Sequence, residues 1–142
     1  MQRPPDDPRI HPGTTTGSPE RPPQRLAGAY LRFDLPVEVE QLHAEPSWEG
    51  EDRNAITLVK EGDLRVILMA LRADAHINTH HTDGFTSIQV IEGQLRIGIA
   101  GESHDFGTGE LVVLGRAVAH EVLALQDAAF LLTIALPTAS TA

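Results

Sequence analysis

The sequence predicts an all-β domain, and three observations carry that prediction. From Ile56 onward the chain consists of short apolar runs separated by turn residues. The segment Gln94–Ile99 alternates polar and apolar residues, as a strand with one buried face does. Helical stretches are few, and strands this short favour a barrel or a sandwich. The 142 residues suffice for one such domain.

The first 33 residues are predicted to be a disordered, proline-rich tail in front of a barrel domain over residues 34–142. Seven of the ten prolines fall within the first 28 residues, which contain no apolar run. Such a stretch buries too little surface to offset the entropy lost on ordering. It also lacks the apolar core of a secretory signal.

Charge and composition exclude several classes of partner and chemistry. The net charge is −9, with +1 in the first 28 residues and −10 in the rest. An acidic body argues against nucleic acid or an anionic membrane as the main partner. No window holds 18 uncharged apolar residues, so we expect no transmembrane helix. The absence of cysteine excludes disulfides, thiolate ligands and a cysteine nucleophile, and it fits the cytoplasm.

One short helix is predicted ahead of the strands. Asp34 has the chemistry of an N-cap, and Pro36 fits the first turn. Within residues 37–45, Val39 and Leu42 lie three apart among glutamates, which indicates a helix lying on the barrel. We expect Trp48 to hold this segment against the body, because large aromatic side chains dominate local burial.

The strands follow in order. The run Leu64–Leu71 is apolar at nearly every position, as in a strand covered on both faces. Residues 87–91 and Gln94–Ile99 flank Glu92-Gly93, which predicts a hairpin. Further strands are predicted at Leu111–Leu114, 121–125 and 130–136.

Three histidines are the candidates for chemistry. His80 and His81 precede a predicted strand, and His120 begins another after a loop containing Gly109 and Gly115. Imidazole is a common ligand of divalent transition metals and the usual base near neutral pH. If the two strands are neighbours, these side chains meet at the mouth of the barrel.

The spacing around these histidines resembles the cupin superfamily over roughly residues 56–136. The first cupin motif is His-x-His, then a glutamate, then a glycine seven residues later. Gly93 fits the glycine, which places the glutamate position at Thr86 and the two histidine positions at Thr79 and His81.

The second cupin motif runs from a glycine through Pro-x-Gly to a histidine. Gly109 begins it and His120 ends it with the expected spacing. Gly115 and Ala117 occupy the proline and glycine positions, and Ala124 the closing asparagine position. The phrases SIQVIEGQLRI and HEVLALQDAAFLLTI also resemble a group of small, single-barrel bacterial cupins.

The resemblance implies a cupin-type double-stranded β-helix, or jelly-roll barrel, whose ligand set is degenerate. A divalent metal (Fe, Mn, Ni or Zn) would be held by His120 with His80 or His81. Thr79 and Thr86 are poor ligands compared with imidazole or carboxylate. His76 is a further candidate, as is Asp83, although Asp83-Gly84 is also a turn dipeptide.

The predicted pocket contains Thr79, Thr86, Ile88 and Val90 together with one or two imidazoles. Such a site suits a small organic molecule with one polar group. The alternative is that these residues simply fill the interior of a small barrel.

The sequence therefore leaves three functions open. The first is a metal-dependent enzyme, dioxygenase- or isomerase-like, acting on a small organic molecule. The second is a metal-free cupin that binds or senses a metabolite without turnover. The third is an interaction barrel: the resemblance implies a homodimer paired through its sheets, and the apolar run Leu64–Leu71 fits such a buried contact.

Overall fold

The computed structural model describes residues 28–137, which form two short helices followed by nine strands. The helices are α1, Leu35–Ala44, and α2, Pro46–Gly50. The strands are β1 (Arg53–Glu61), β2 (Leu64–Leu71), β3 (His76–His80), β4 (Phe85–Glu92), β5 (Gln94–Ile99), β6 (Glu102–Gly107), β7 (Leu111–Leu114), β8 (His120–Ala124) and β9 (Ala128–Ala135). Most of the predicted tail lies outside the described residues.

Two antiparallel sheets enclose the interior. One has the strand order β1-β2-β9-β4-β7 and the other β3-β8-β5-β6. Side chains from both sheets form one buried group, which we call the interior cluster: Leu71, Ala75, Ile88, Val90, Leu95, Ile97, Leu114, Val122, Ala124, Ala128 and Phe130. The all-β jelly-roll prediction is thereby confirmed.

The predicted hairpin at Glu92-Gly93 is wrong. Strand β4 pairs with β7 and β9, whereas β5 pairs with β6 and β8, so the two strands belong to different sheets. Gly93 makes the corner with a φ of 79°. A Cβ at Gly93 would clash with the carbonyl oxygen of Asp127. Glycine is needed at this position because the chain crosses from one sheet to the other with a positive φ and because another stretch of backbone approaches closely. It does not form a hairpin turn.

Helix α1 begins as predicted. Asp34 is its N-cap, and its side chain accepts a hydrogen bond of 3.3 Å from the Val37 N–H. Val39 and Leu42 are buried against the sheet. The second helix, α2, was not predicted; it carries Trp48, whose ring stacks on His43 at 4.3 Å and is buried.

The helices cover part of the outer face of the larger sheet. The buried apolar residues between them form a second group, which we call the outer cluster: Val39, Leu42, Trp48, Ile56, Leu58, Val59, Leu68, Ala70 and Ala129. Strand β2 contributes Leu68 and Ala70 to this cluster and Leu71 to the interior cluster. Both faces of the second half of β2, from Leu68 to Leu71, are therefore covered within one chain, whereas Leu64 is 39% exposed. The homodimer through this strand remains a prediction.

The rest of that outer face is partly bare. Phe85, Leu111 and Val113 are 48%, 56% and 65% exposed. Among the described residues, no helix is long and apolar enough to cross a membrane.

Candidate functional site

Strand β8 divides the site into an inner and an outer side. It lies between β3 and β5, and its residues alternate between the two faces of the sheet. His120 and Val122 are buried on the inner side, whereas Glu121 is partly exposed on the outer side. The alternation places an imidazole and a carboxylate on opposite faces of one strand.

His120 is held by its own loop. Its side chain is only 3% exposed, and its Nδ1 lies 3.1 Å from the carbonyl oxygen of Val118. A carbonyl only accepts, so Nδ1 is the donor in this contact. A backbone contact of this kind fixes the tautomer and the orientation of a functional histidine.

A cavity of about 70 Å³ lies inside the barrel beside His120. Apart from the imidazole its lining is apolar, and it comprises Met69, Ile77, Ile88, His120, Val122, Phe130 and Leu132. We call it the interior cavity. Of the four predicted pocket residues, Ile88 lines it.

A larger cleft of about 240 Å³ lies at the end of the smaller sheet. It combines hydroxyl and carboxylate side chains with turn backbone, and it is lined by Thr79, Gly98, Ala100, Gly101, Glu102, Ser103, Ala119, His120 and Glu121. We call it the outer cleft. His120 is the one residue that lines both this cleft and the interior cavity.

The other predicted pocket residues are separated from one another. Thr79 lies in the outer cleft, where its hydroxyl donates to Glu121 Oε2 at 3.3 Å. Thr86 is buried, and its hydroxyl lies 3.2 Å from that of Thr82. Val90 is packed in the interior cluster. Neither Thr86 nor Val90 lines the interior cavity or the outer cleft.

A β-bulge in β3 decides which predicted ligand reaches His120. Ile77 pairs with Val122, and His80 pairs with His120. An advance of three residues along β3 therefore corresponds to two residues along β8, which is the extra residue of a β-bulge. The bulge brings His80, rather than Thr79, directly opposite His120 in the register. The side chain of His80 is outside the described part of the structure, and that of His81 is exposed in the following loop.

His76 lies on the outer face. Its Nε2 is 3.2 Å from Glu121 Oε2, and both side chains are nearly half exposed. It therefore contacts the carboxylate of the outer cleft and does not line the cavity on the other side of the strand. Asp83 is exposed in the β3–β4 loop.

The β3–β4 loop is joined to the β7–β8 loop, which leads into His120, and we call this junction the mouth. The Ala117 N–H donates to the carbonyl oxygen of Thr82 at 2.9 Å, and the Arg116 guanidinium lies 5.0 Å from the centre of the Phe85 ring. Ala117 has a φ of 58°, in the left-handed region that favours glycine. Ala117 occupies the glycine position of the second cupin motif, and its backbone keeps the conformation that glycine favours.

The described donors do not match an open catalytic metal site, which usually has three protein ligands. Among the described side chains, no group of three histidine, aspartate or glutamate residues could hold a metal ion. His120 is the only imidazole among them that lines the interior cavity. The register adds the position of His80, which brings the number of candidate ligands to two.

Sequence reasoning missed Glu121 and the outer cleft. Glu121 follows His120 in the chain, and strand alternation alone places it on the opposite face. Nearby, the Arg96 guanidinium donates to both oxygens of Asp105 at 2.8 and 3.2 Å. These hydrogen bonds lower the pKa of the Asp105 carboxyl and raise the pKa of Arg96.

Comparisons with known structures identify the fold. A conserved protein of unknown function from Streptococcus pyogenes is 24% identical, with a TM-score of 0.59 over 63% of this chain and 79% of that one. A cupin superfamily protein from Desulfitobacterium hafniense is 10% identical, with a TM-score of 0.59 over 60% of this chain and 78% of its own. No family model matches the sequence, and no curated protein matches it.

An enzyme is also among the similar structures. Salicylate 1,2-dioxygenase from Pseudoaminobacter salicylatoxidans, in an adduct with gentisate, is 23% identical, with a TM-score of 0.56 over 71% of this chain. This chain corresponds to 29% of the dioxygenase. The chain has the cupin fold, and the resemblance found in its sequence is confirmed at the level of fold.

Proposed function

We propose that the protein binds a small organic molecule whose apolar part enters the interior cavity and whose polar group lies beside His120. One observation carries the proposal. Among the described side chains His120 is the only buried imidazole, and it lines both the interior cavity and the outer cleft. An apolar cavity with one convergent polar group is the usual form of a small-molecule site.

The size of the interior cavity limits the ligand. Its 70 Å³ is about half of the ~150 Å³ that holds benzene in an engineered protein cavity. The apolar part is therefore a short or branched chain rather than an aromatic ring. Each methylene removed from water contributes roughly 0.8 kcal/mol, so a chain of this size supports a weak to moderate affinity.

His120 orients the polar group of the ligand. His120 is the polar side chain of the interior cavity, and donation from its Nδ1 to the Val118 carbonyl fixes the orientation of the ring that meets the polar group of the ligand. The backbone contact holds the ring in place before the ligand arrives, which reduces the entropy lost on binding.

A metal-dependent enzyme is the second candidate. The observation in its favour is the register, which places His80 directly opposite His120, together with the similarity to a dioxygenase. In this alternative, the two histidines would hold a divalent iron, manganese, nickel or zinc ion. Bound there, the metal would supply a Lewis acid or a redox centre for reaction with a small substrate.

The two candidates are separated by one experiment on the wild type and His120→Asn. Asparagine keeps an N–H near the position of Nδ1 and lacks Nε2, so the loop contact with Val118 is retained. The interior methyl groups of Ile77 and Ile88 are followed by NMR while isobutanol, isobutylamine and isobutyrate are added in turn. Elemental analysis of untagged protein measures its metal content.

We expect at least one of these probes to shift the interior methyl signals of the wild type, and His120→Asn to weaken that binding at least fivefold. His104→Asn is the matched control, because His104 is exposed and lines neither cavity. Metal near one equivalent per chain that His120→Asn loses would instead support the enzyme. No shift with any probe and no metal would overturn both candidates.

A further inference from the structure

Part of the outer face of the larger sheet is left bare by the helices. Side chains alternate along β4, β7 and β9, so one set points into the interior cluster and the other set points outward. Phe85, Leu111 and Val113 belong to the outward set and are the three most exposed large apolar side chains of this sheet. We call the outward-facing residues beyond the helices the bare face: Phe85, Ser87, Gln89, Leu111, Val113 and Thr133.

The bare face carries no charge. None of its six side chains is ionisable, whereas 22% of the residues in the chain are Asp, Glu, Lys or Arg. The net charge of −9 makes two copies of the chain repel each other over most of their surface, and this repulsion is smallest where the surface is uncharged. The centres of protein interfaces are likewise depleted in charged residues. The bare face therefore fits a partner surface that is itself uncharged, and the same face of a second copy meets that requirement.

Strand β7 forms the open edge of this face. Of the strands in the described part of the chain, β4 alone pairs with β7, which stands last in the order of the larger sheet. Natural edge strands are usually protected by a lysine, a proline or a bulge, and the sequence LVVL of β7 contains neither lysine nor proline. An apolar edge of this kind associates readily with another strand, so β7 is the part of the bare face that a second chain meets first.

Charges of opposite sign lie at the two ends of β7. Glu110 comes directly before the strand, where its Oε1 accepts from the Gly107 N–H at 2.7 Å. Arg116 comes two residues after the strand, and its guanidinium lies over the ring of Phe85; no carboxylate of a described residue pairs with it. A two-fold axis at the centre of β7 reverses the strand and brings the Arg116 end of one copy beside the Glu110 end of the other. The charges at both ends therefore complement each other in a contact between two identical surfaces.

From these observations we infer that the bare face binds the same face of a second copy of this chain, in a two-fold contact centred on β7. The bare face is only three strands wide, which is small beside the ~800 Å² that each partner buries in a stable interface, so the dimer dissociates on dilution. Urea denaturation in dilute solution then reports the stability of the single chain. The inference moves the predicted homodimer contact from β2 to β7, and it does not depend on the ligand of the interior cavity.

Sedimentation equilibrium of the full chain tests the contact in wild type, Val113→Glu and Gln126→Glu. We expect the wild-type mass to rise from the 15.4 kDa of one chain towards twice that value as the concentration reaches about 1 mM. Val113→Glu brings two like charges together across the two-fold axis and should raise the dissociation constant at least tenfold. Gln126→Glu is the matched control, because Gln126 is exposed in the β8–β9 turn and the change in net charge is the same. A wild type that stays monomeric, or a dimer unaffected by Val113→Glu, would overturn the inference.

A second pair of substitutions tests the two-fold register by the same measurement. Arg116→Glu places like charges at both ends of β7 and should weaken the dimer at least fivefold. Adding Glu110→Gln, which keeps the acceptor for the Gly107 N–H, removes one charge of each repelling pair and should recover at least threefold of that affinity. In the wild-type background Glu110→Gln removes an attraction instead, so it should weaken the dimer or leave it unchanged. An equal gain from Glu110→Gln in both backgrounds would show that net charge alone controls association and would overturn the two-fold contact.

Discussion

The outer cluster and the interior cluster are both apolar and buried, yet of the two only the interior cluster contributes to the walls of the interior cavity. The outer cluster packs Leu42 of α1 with Ile56 and Leu68 of the larger sheet, and each of the three is at most 1% exposed. None of the residues of this cluster lines the interior cavity or the outer cleft. The interior cluster leaves about 70 Å³ open beside His120. Close packing is the normal state of a protein core, so the interior side is where the fold departs from the packing of greatest stability.

Truncation in the outer cluster should give the largest effect. Leu42 is fully buried between α1 and the sheet, so Leu42→Ala removes buried methyl groups and leaves a void under the helix. We expect a loss of about 2–5 kcal/mol in the free energy of unfolding, measured by urea denaturation. Leu111→Ala is the matched control, since Leu111 is 56% exposed and should cost under ~0.5 kcal/mol. Similar losses for the two variants would show that the helices are not packed on the sheet.

The attachment of the helices also depends on the cap of α1. Asp34→Ala removes the acceptor of the Val37 N–H and should destabilise the protein by about 1 kcal/mol. Asp34→Ser retains an oxygen acceptor and should restore most of that loss in the same denaturation experiment. A neutral Asp34→Ala would mean that packing alone positions the helix.

The outer layer was largely predictable from the sequence, because its signals are local. The Asp34 cap and the Val39 and Leu42 spacing are read within ten residues of chain, and the structure confirms them. The second cupin motif assigns Ala117 to its glycine position, and the backbone there is left-handed. These features depend on neighbours in sequence, and pattern reasoning is most reliable there.

The inner layer was less predictable, because it depends on contacts between distant segments. Glu92-Gly93 has the local chemistry of a hairpin, but tertiary pairing sends β4 and β5 to different sheets. The bulge in β3 changes the register by one residue and brings His80 opposite His120, which counting along the chain does not show. The cavity beside His120 and Ile88 and the cleft beside Glu121 arise from the way distant segments of the chain pack together.

Filling the interior cavity should have the opposite effect on stability from truncation in the outer cluster. Val122→Ile adds one methylene at the cavity wall and keeps a β-branched side chain suited to β8. We expect the free energy of unfolding to rise by up to about 0.8 kcal/mol and the affinity for isobutylamine to fall at least fivefold. Destabilisation by ~1–3 kcal/mol would indicate an overpacked interior and contradict the cavity.

The smallest expected effect concerns the mouth of the interior. Ala117 holds a left-handed conformation that costs an L-residue roughly 1–2 kcal/mol, whereas glycine adopts it without that penalty. Glycine in turn loses more entropy on folding, about 0.5–1 kcal/mol relative to alanine, so Ala117→Gly should stabilise the protein by roughly 0.5 kcal/mol. Thermal unfolding of Ala117→Gly beside wild type measures this difference.

Ala117→Val is the opposing control, because a β-branched residue is disfavoured further at positive φ, and it should lower the melting temperature. A stability unchanged by both substitutions would mean that the loop relaxes freely. The hydrogen bond from Ala117 to Thr82 would then not fix the mouth. A rise with glycine and a fall with valine would show that the loop above His120 is held in its strained conformation by its contacts, as a preorganised binding site requires.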